Sequence, residues 1–300
     1  MIHVKAFATG RAKLKAGSEG NMDYKTILVH MDAGPRRTER LELALALADR
    51  CDAHLVGLFA LSAPRLPSYV RAETSAMLEA AQDLRRTEAA GEAAELFRAA
   101  AARYGGVKAE WRTSKADALR AVQLNARYSD LVVVGQRERD DEGASGTGPE
   151  FIDELVLSCG RPVLLVPYAG HFRDAGKSAL VAWNASAEAA RAVADALPLL
   201  ERAQRVEVIV FDGGPRGDHG EEPGADAALY LARHGVKATV SRYGIPHVDV
   251  GSQILTRAAD MSVDLIVMGA YGHSRLRELV LGGATRTILE SMTVPVLMSR

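Results

Sequence analysis

The sequence predicts an α/β protein of two tandem doubly wound domains, each a parallel sheet with helices on both faces. Three observations carry this. Apolar strand-like runs alternate with helix-like segments along nearly the whole chain, the pattern of a parallel sheet whose crossovers cover both faces. The pattern occurs twice: Asp130-LVVV-Gly135 recurs as Asp264-LIVM-Gly269, Pro162-VLLV recurs as Pro295-VLMS, and TILVHMD (Thr26 to Asp32) corresponds to SALVAWN (Ser178 to Asn184). Three hundred residues, 48% hydrophobic and 25% charged, suffice for two ordinary domains with ample core.

Residues 1–21 carry Lys5, Arg11, Lys13 and Lys15 but lack the continuous apolar stretch of a secretory signal. They read as a mobile leader ahead of a first domain at 22–168. Its strands are expected at Lys25–Met31, His54–Leu61, Val107–Thr113, Asp130–Val134 and Pro162–Val166. Helices are expected near Thr38–Cys51, Glu73–Tyr104, Asp117–Tyr128 and Phe151–Cys159. The second of these is alanine-rich, a strong helix former despite Gly91, and Gly105-Gly106 stops it. Pro167–Lys177 is a short polar link to a second domain at 177–300. There, strands are expected at Ser178–Trp183, Arg205–Phe211, Val236–Tyr243, Asp264–Met268 and Pro295–Ser299. Helices are expected near Ser186–Leu200, with Ser186 as N-cap, Pro223–Gly235, Asp249–Met261 and Ala284–Met292.

Charge and composition exclude several classes. A formal net charge of −1 carries no footprint of nucleic-acid or anionic-membrane binding. No apolar run approaches the ~20 residues needed to span a bilayer. The two cysteines, Cys51 and Cys159, stand in no metal or redox spacing and point to a reducing compartment, so the expected location is cytoplasmic.

Chemistry concentrates in the last stretch, DLIVMGAYGHSRLRELVLGGATRTILESMTVPVLMSR. A strand ends at Met268 and Gly269, Gly272 follows, and Gly282 and Gly283 precede a helix whose first turn holds Ala284 and Thr285. Strand carboxyl ends line the ligand crevice of a parallel sheet. Glycines there admit backbone N–H groups to a ligand, and a helix N-terminus adds unpaired donors and partial positive charge, together a cradle for phosphate. The competing reading is a tight turn at Gly269 and Gly272 with Gly282-Gly283 merely breaking a helix.

The spacing Gly269-x2-Gly272-x9-Gly282, set between a strand and a final P-V-L strand, resembles the ATP-binding signature of the universal stress proteins. With the repeat, the resemblance covers nearly the whole chain from Asp23. It implies a five-stranded parallel sheet of order 3-2-1-4-5 in each domain and ATP, with or without Mg, as the ligand. It also implies pairing of the two halves through their last strands, Pro162–Val166 and Pro295–Ser299. A homodimer of chains is left open. Gly283 stands where the family carries a hydroxyl or amide residue; losing one neutral hydrogen bond costs about 0.5–1.5 kcal/mol, which weakens binding without abolishing it. The resemblance places the nucleoside against Ala182, Trp183 and Asn184 at the end of the first strand of the second domain, with backbone at Val210. Asn184 replaces the family's usual Asp, keeping an acceptor and gaining two donors.

The first domain is stripped by comparison. Glu138 stands where the second has Gly272, and Asp140, Asp141 and Glu142 follow, so a phosphate there would meet like charge. Asp32 keeps the carboxylate but is expected to cap the turn into the first helix. Among weaker candidates, Arg275 and Arg277 could pair with phosphate, and Tyr271 could cover the ligand or shield the loop. Asp218, His219, Glu221 and Glu222 form an acidic cluster that reads as a solvated loop rather than a metal site. The leading expectation is therefore a regulatory protein with an adenine nucleotide in its C-terminal domain. A slow ATPase or nucleotidyl-transfer enzyme is the second reading, although no general base, P-loop lysine or Mg-binding carboxylate pair stands out. An interaction module without nucleotide is the third.

Overall fold

The computed structural model describes residues 3–6, 23–62, 72–137, 146–148, 150–212, 224–244, 249–271 and 283–300. The elements in order are β1 (His3–Ala6), β2 (Thr26–Met31), α1 (Arg37–Cys51), β3 (His54–Phe59), α2 (Ala72–Arg103), β4 (Lys108–Thr113), α3 (Ala118–Ala126), β5 (Leu131–Gly135), α4 (Phe151–Ser158) and β6 (Val163–Val166). Residues 167–177 form neither helix nor strand. The second half continues with β7 (Ser178–Trp183), α5 (Ala187–Leu200), β8 (Arg205–Asp212), α6 (Ala225–Arg233), β9 (Ala238–Gly244), α7 (Val250–Asp260), β10 (Leu265–Gly269), α8 (Gly283–Ser291) and β11 (Val296–Ser299).

All strands belong to one eleven-stranded sheet, ordered β1-β4-β3-β2-β5-β6-β11-β10-β7-β8-β9. Within each half the five strands are parallel and follow the order 3-2-1-4-5. The halves meet where β11 pairs antiparallel with β6, Leu297 opposite Leu164. Both of these strands are wholly buried, so their continuous Val/Leu/Met composition is what two covered faces require. Within the leader, His3–Ala6 add to β4 as an antiparallel edge strand, Val4 opposite Arg112; the rest of the leader lies outside the described residues.

One core lies beneath α1, α2 and α5, the other beneath α3, α4, α7 and α8, and each runs through both halves. Polar contacts also join the halves: the Tyr24 hydroxyl donates to the Asp195 carbonyl at 2.7 Å and Arg202 pairs with Asp23 at 2.6 Å, while Arg50 pairs with Asp174 of the link at 2.7 Å. The repeated aspartates have a structural role at the amino edge of the sheet. Asp130 accepts from the backbone N–H groups of Lys25 and Thr26, and Asp264 accepts from those of Gly176, Lys177 and Ser178. Each carboxylate ties the start of the fourth strand of its unit to the start of the first, satisfying donors that the ladder leaves unpaired. Helix starts follow local chemistry, with Ser186 Oγ accepting from Ala189 N at 3.1 Å, Asp117 from Leu119 N at 3.0 Å and Asp249 from Ser252 N at 2.9 Å.

Candidate functional site

In the second half the carboxyl ends of β7 and β10 lie side by side at the point where the strand order reverses, the place at which open α/β sheets form a crevice. Register brings the expected residues together: Met268 stands opposite Ala182, and Trp183 opposite Val210. The Val210 side chain is fully buried and packs near Gly224, so only its backbone is available to a crevice. Asn184 is exposed, and its Oδ1 accepts from Ser186 N at 3.2 Å, closing the turn into α5.

Gly269 has a structural reason to be glycine. A Cβ there would lie 2.5 Å from the Ala189 nitrogen and 2.6 Å from the Glu188 carbonyl carbon. The end of β10 is therefore pressed against the first turn of α5, and at this glycine the close neighbour is backbone of the chain itself. Glu188 Oε2 is buried and has no hydrogen-bond partner among the described residues.

Beyond Gly269, Tyr271 is buried in a left-handed conformation, φ 56°, uncommon for a bulky side chain. Its hydroxyl donates to Asp153 on α4 of the first half. Thr285 is buried in the first turn of α8, and its Oγ1 lies 3.5 Å from Tyr271 N as acceptor, which keeps its O–H as a donor. Ala284 packs its backbone against Gly251 of α7, where a Cβ would come within 2.8 Å of the Ala284 oxygen. Gly283 is exposed, and a Cβ on it would sit 3.4 Å from Asp249 Oδ1. Gly272 and Gly282, with Arg275 and Arg277, lie outside the described residues, as do the acidic run 138–142 and the cluster at 218–222.

The first half fills the matching place with its own side chains. Arg40, wholly buried in α1, pairs with Asp32 at 2.8 Å, and a Cβ on Gly135 would overlap its Nη1. Asp32 also accepts from Gly34 N at 2.9 Å, the turn closure made by Asn184 in the second half. Burial raises the Asp32 carboxyl, but the Arg40 guanidinium, the nearby His30 and the Gly34 N–H outweigh it and hold the group below its usual range. His30, whose Nε2–H donates to the Ala60 carbonyl at 2.9 Å, is held below the usual imidazole range, chiefly by burial. Where Arg40 meets Gly135, the second half sets Ala189 against Gly269.

Sequence reasoning missed Arg40, Glu188, and the ties from the first half to the loop and helix of the second. Gln136 is one such tie, donating to the Leu289 carbonyl at 2.9 Å. The one signal available for Arg40 was a basic residue in an otherwise apolar helical stripe.

The fold and these two crevices define a class: tandem doubly wound α/β proteins, here with one crevice holding an internal ion pair and the other floored by the first turn of a helix. The profile of the universal stress protein family matches residues 23–167 and again 176–300, and the chain belongs to that family. A universal stress protein of Synechocystis is 27% identical over 176 residues, 57% of this chain and 58% of that protein. One of Methanocaldococcus jannaschii is 38% identical over 55 residues, 18% of this chain and 32% of that protein. The chain thus spans little more than half of the first relative and a third of the second. A universal stress protein of Archaeoglobus fulgidus superposes with a TM-score of 0.65 at 18% identity, covering 92% of this chain and 98% of that one. Among the described residues no helix is long and apolar enough to cross a membrane, and no group of three or more His, Cys, Asp or Glu could hold a metal ion.

Proposed function

We propose that this chain is a regulatory nucleotide-binding protein whose second domain, residues 177–300, holds an adenine nucleotide. The first domain, residues 22–168, serves as a ligand-free companion joined to it through β6 and β11. One observation carries the reading: the two halves differ at the floor of the crevice. A buried ion pair, Arg40 with Asp32, occupies the place beside Gly135, whereas Gly269 is met by the backbone of the first turn of α5 at Glu188 and Ala189, with no ion pair across it among the described residues. The Gly269-x2-Gly272-x9-Gly282 spacing stands only in the second half.

The donor set fits the ligand in part. Thr285 retains a hydroxyl donor at the α8 start, and the exposed Asn184 amide and the Val210 backbone can meet a base. Glu188 and Asp249 bring negative charge that repels phosphate, which favours ATP carrying Mg²⁺, an ion commonly held by one or two carboxylates together with substrate phosphates. The same two carboxylates favour the second reading, an interaction module that has lost nucleotide in both halves.

Mass spectrometry of ligand released from freshly purified protein, with calorimetric titration of ATP·Mg, separates the two. The expected result is ATP binding that Gly282→Asp removes while the circular dichroism spectrum stays unchanged. Unaltered affinity in that variant would remove the site assignment.

A further inference from the structure

The first half contains a cavity of about 460 Å³ that belongs to neither crevice floor. It opens at the carboxyl ends of β3 and β4, beneath the middle of α2. Its lining comprises Phe59, Leu61 and Ala90 on the apolar side and Arg86, Lys115, Thr113, Ser114, Thr87 and Asp83 on the polar side.

The repeat supplies an internal control. In the second half the strands matching β3 and β4 are β8 and β9, and there Gly224 packs onto both. A Cβ on Gly224 would lie 2.9 Å from both Val210 and Val240, so the start of α6 is seated directly on the face of these two strands. In the first half the corresponding helix is α2, 32 residues long against nine for α6, and it runs past the strand ends instead of starting on them. Among the described residues the start of α6 thus lies directly on its strands, while the middle of α2 stands over a cavity.

We propose that this cavity binds a small organic anion with an apolar body, of the carboxylate class. Phe59 is almost fully buried and, with Leu61 and Ala90, forms a floor continuous with the core, which suits an aromatic or branched alkyl group. Facing it are two cations against one carboxylate. Arg86 is steered by donating to the Leu61 carbonyl, which engages one of the five donors of its planar fork. Lys115 makes no ion pair among the described residues. The hydroxyls are aimed by local bonds: Ser114 Oγ accepts from Ala116 N at 3.1 Å, leaving its O–H to donate, while Ser114 N is held by the Phe59 carbonyl at 2.9 Å.

A polyphosphate is the wrong ligand here. Asp83 stands in the lining and would repel a highly charged ligand, so the site offers a guanidinium and an ammonium for one anionic head. The inference is independent of nucleotide binding in the second half.

The test uses 4-fluorobenzoate followed by fluorine NMR on the full chain, with 4-fluorobenzamide, inorganic phosphate and ATP·Mg as comparators. The acid is expected to bind saturably, and the neutral amide about tenfold more weakly, as the loss of a charged contact implies. Lys115→Glu, at an exposed position, is expected to weaken the acid by a similar factor, and Ala90→Trp, which fills the floor, to abolish binding. Equal binding of acid and amide, indifference to both substitutions, or displacement by phosphate or ATP·Mg would overturn the proposal.

Discussion

Arg40→Met gives the sharpest test of why the first crevice is closed. The substitution keeps an apolar stem of similar length and removes the guanidinium from a pair whose side chains are 3% and 9% exposed. Asp32 is then left with one partner, the Gly34 N–H. Breaking a buried pair from one side costs about 3–5 kcal/mol, because the remaining charge has neither partner nor water. Protonation sets a ceiling. Neutralising a carboxyl of ordinary pKa 3.8 at pH 7 costs about 4 kcal/mol, and at pH 5 about 2 kcal/mol, at about 1.4 kcal/mol per unit. His30 lies close enough to feel both groups, and its protonation is a second route to the same relief. Urea denaturation followed by circular dichroism should therefore show a loss of about 3–4 kcal/mol at pH 7 that shrinks by about half at pH 5. Asp32→Asn combined with Arg40→Met should recover most of it, since the amide still accepts from Gly34 and carries no charge. A loss below about 1 kcal/mol at pH 7, or one that does not change with pH, would refute the argument that an isolated buried carboxylate is the cost.

Other outcomes follow from the same geometry. Gly269→Ala should destabilise by about 1–3 kcal/mol, since its Cβ meets the backbone of α5, which yields less readily than a side chain; a thermal melt that is unmoved would show that helix and strand are not in contact. Gly283→Ser should tighten ATP by a few-fold at most, the hydroxyl restoring a donor at the α8 start beside Asp249; weaker binding by calorimetry would reverse that reading. In the native chain the folded pKa of His30 lies below the ordinary 6.5, so the unfolded state takes up its proton first. That contribution to stability is complete above about pH 6.5 and is lost as pH falls from there toward the folded value. Asp32 adds a loss of the same sign below its ordinary 3.8. Melting temperatures should decline from pH 7 to 5, and His30→Gln should flatten the decline; an unchanged slope would assign the titration elsewhere.

Much of the fold was legible because its signals are local. Ser186 capping α5, the apolar runs that became β5 and β10, and the glycine pair after α2 each act within a few residues, and element ends differ from expectation by one or two positions. The repeat then implied the topology, since two copies of one alternating pattern build two copies of one sheet order. The crevice was less legible. Gly269, read as an opening for ligand, also packs against α5, and Tyr271, read as part of the loop, reaches Asp153 in the other half.

The sequence alone determined the class of fold and the duplication, because periodicity, capping and the repeated strand motifs are written along the chain. Only the tertiary structure decided which crevice is plugged and where a cavity is left. Arg40 against Gly135, and Gly224 seated on Val210 and Val240, are meetings of residues distant in the chain. Packing of that kind follows from how whole helices settle on the sheet, which no local pattern records.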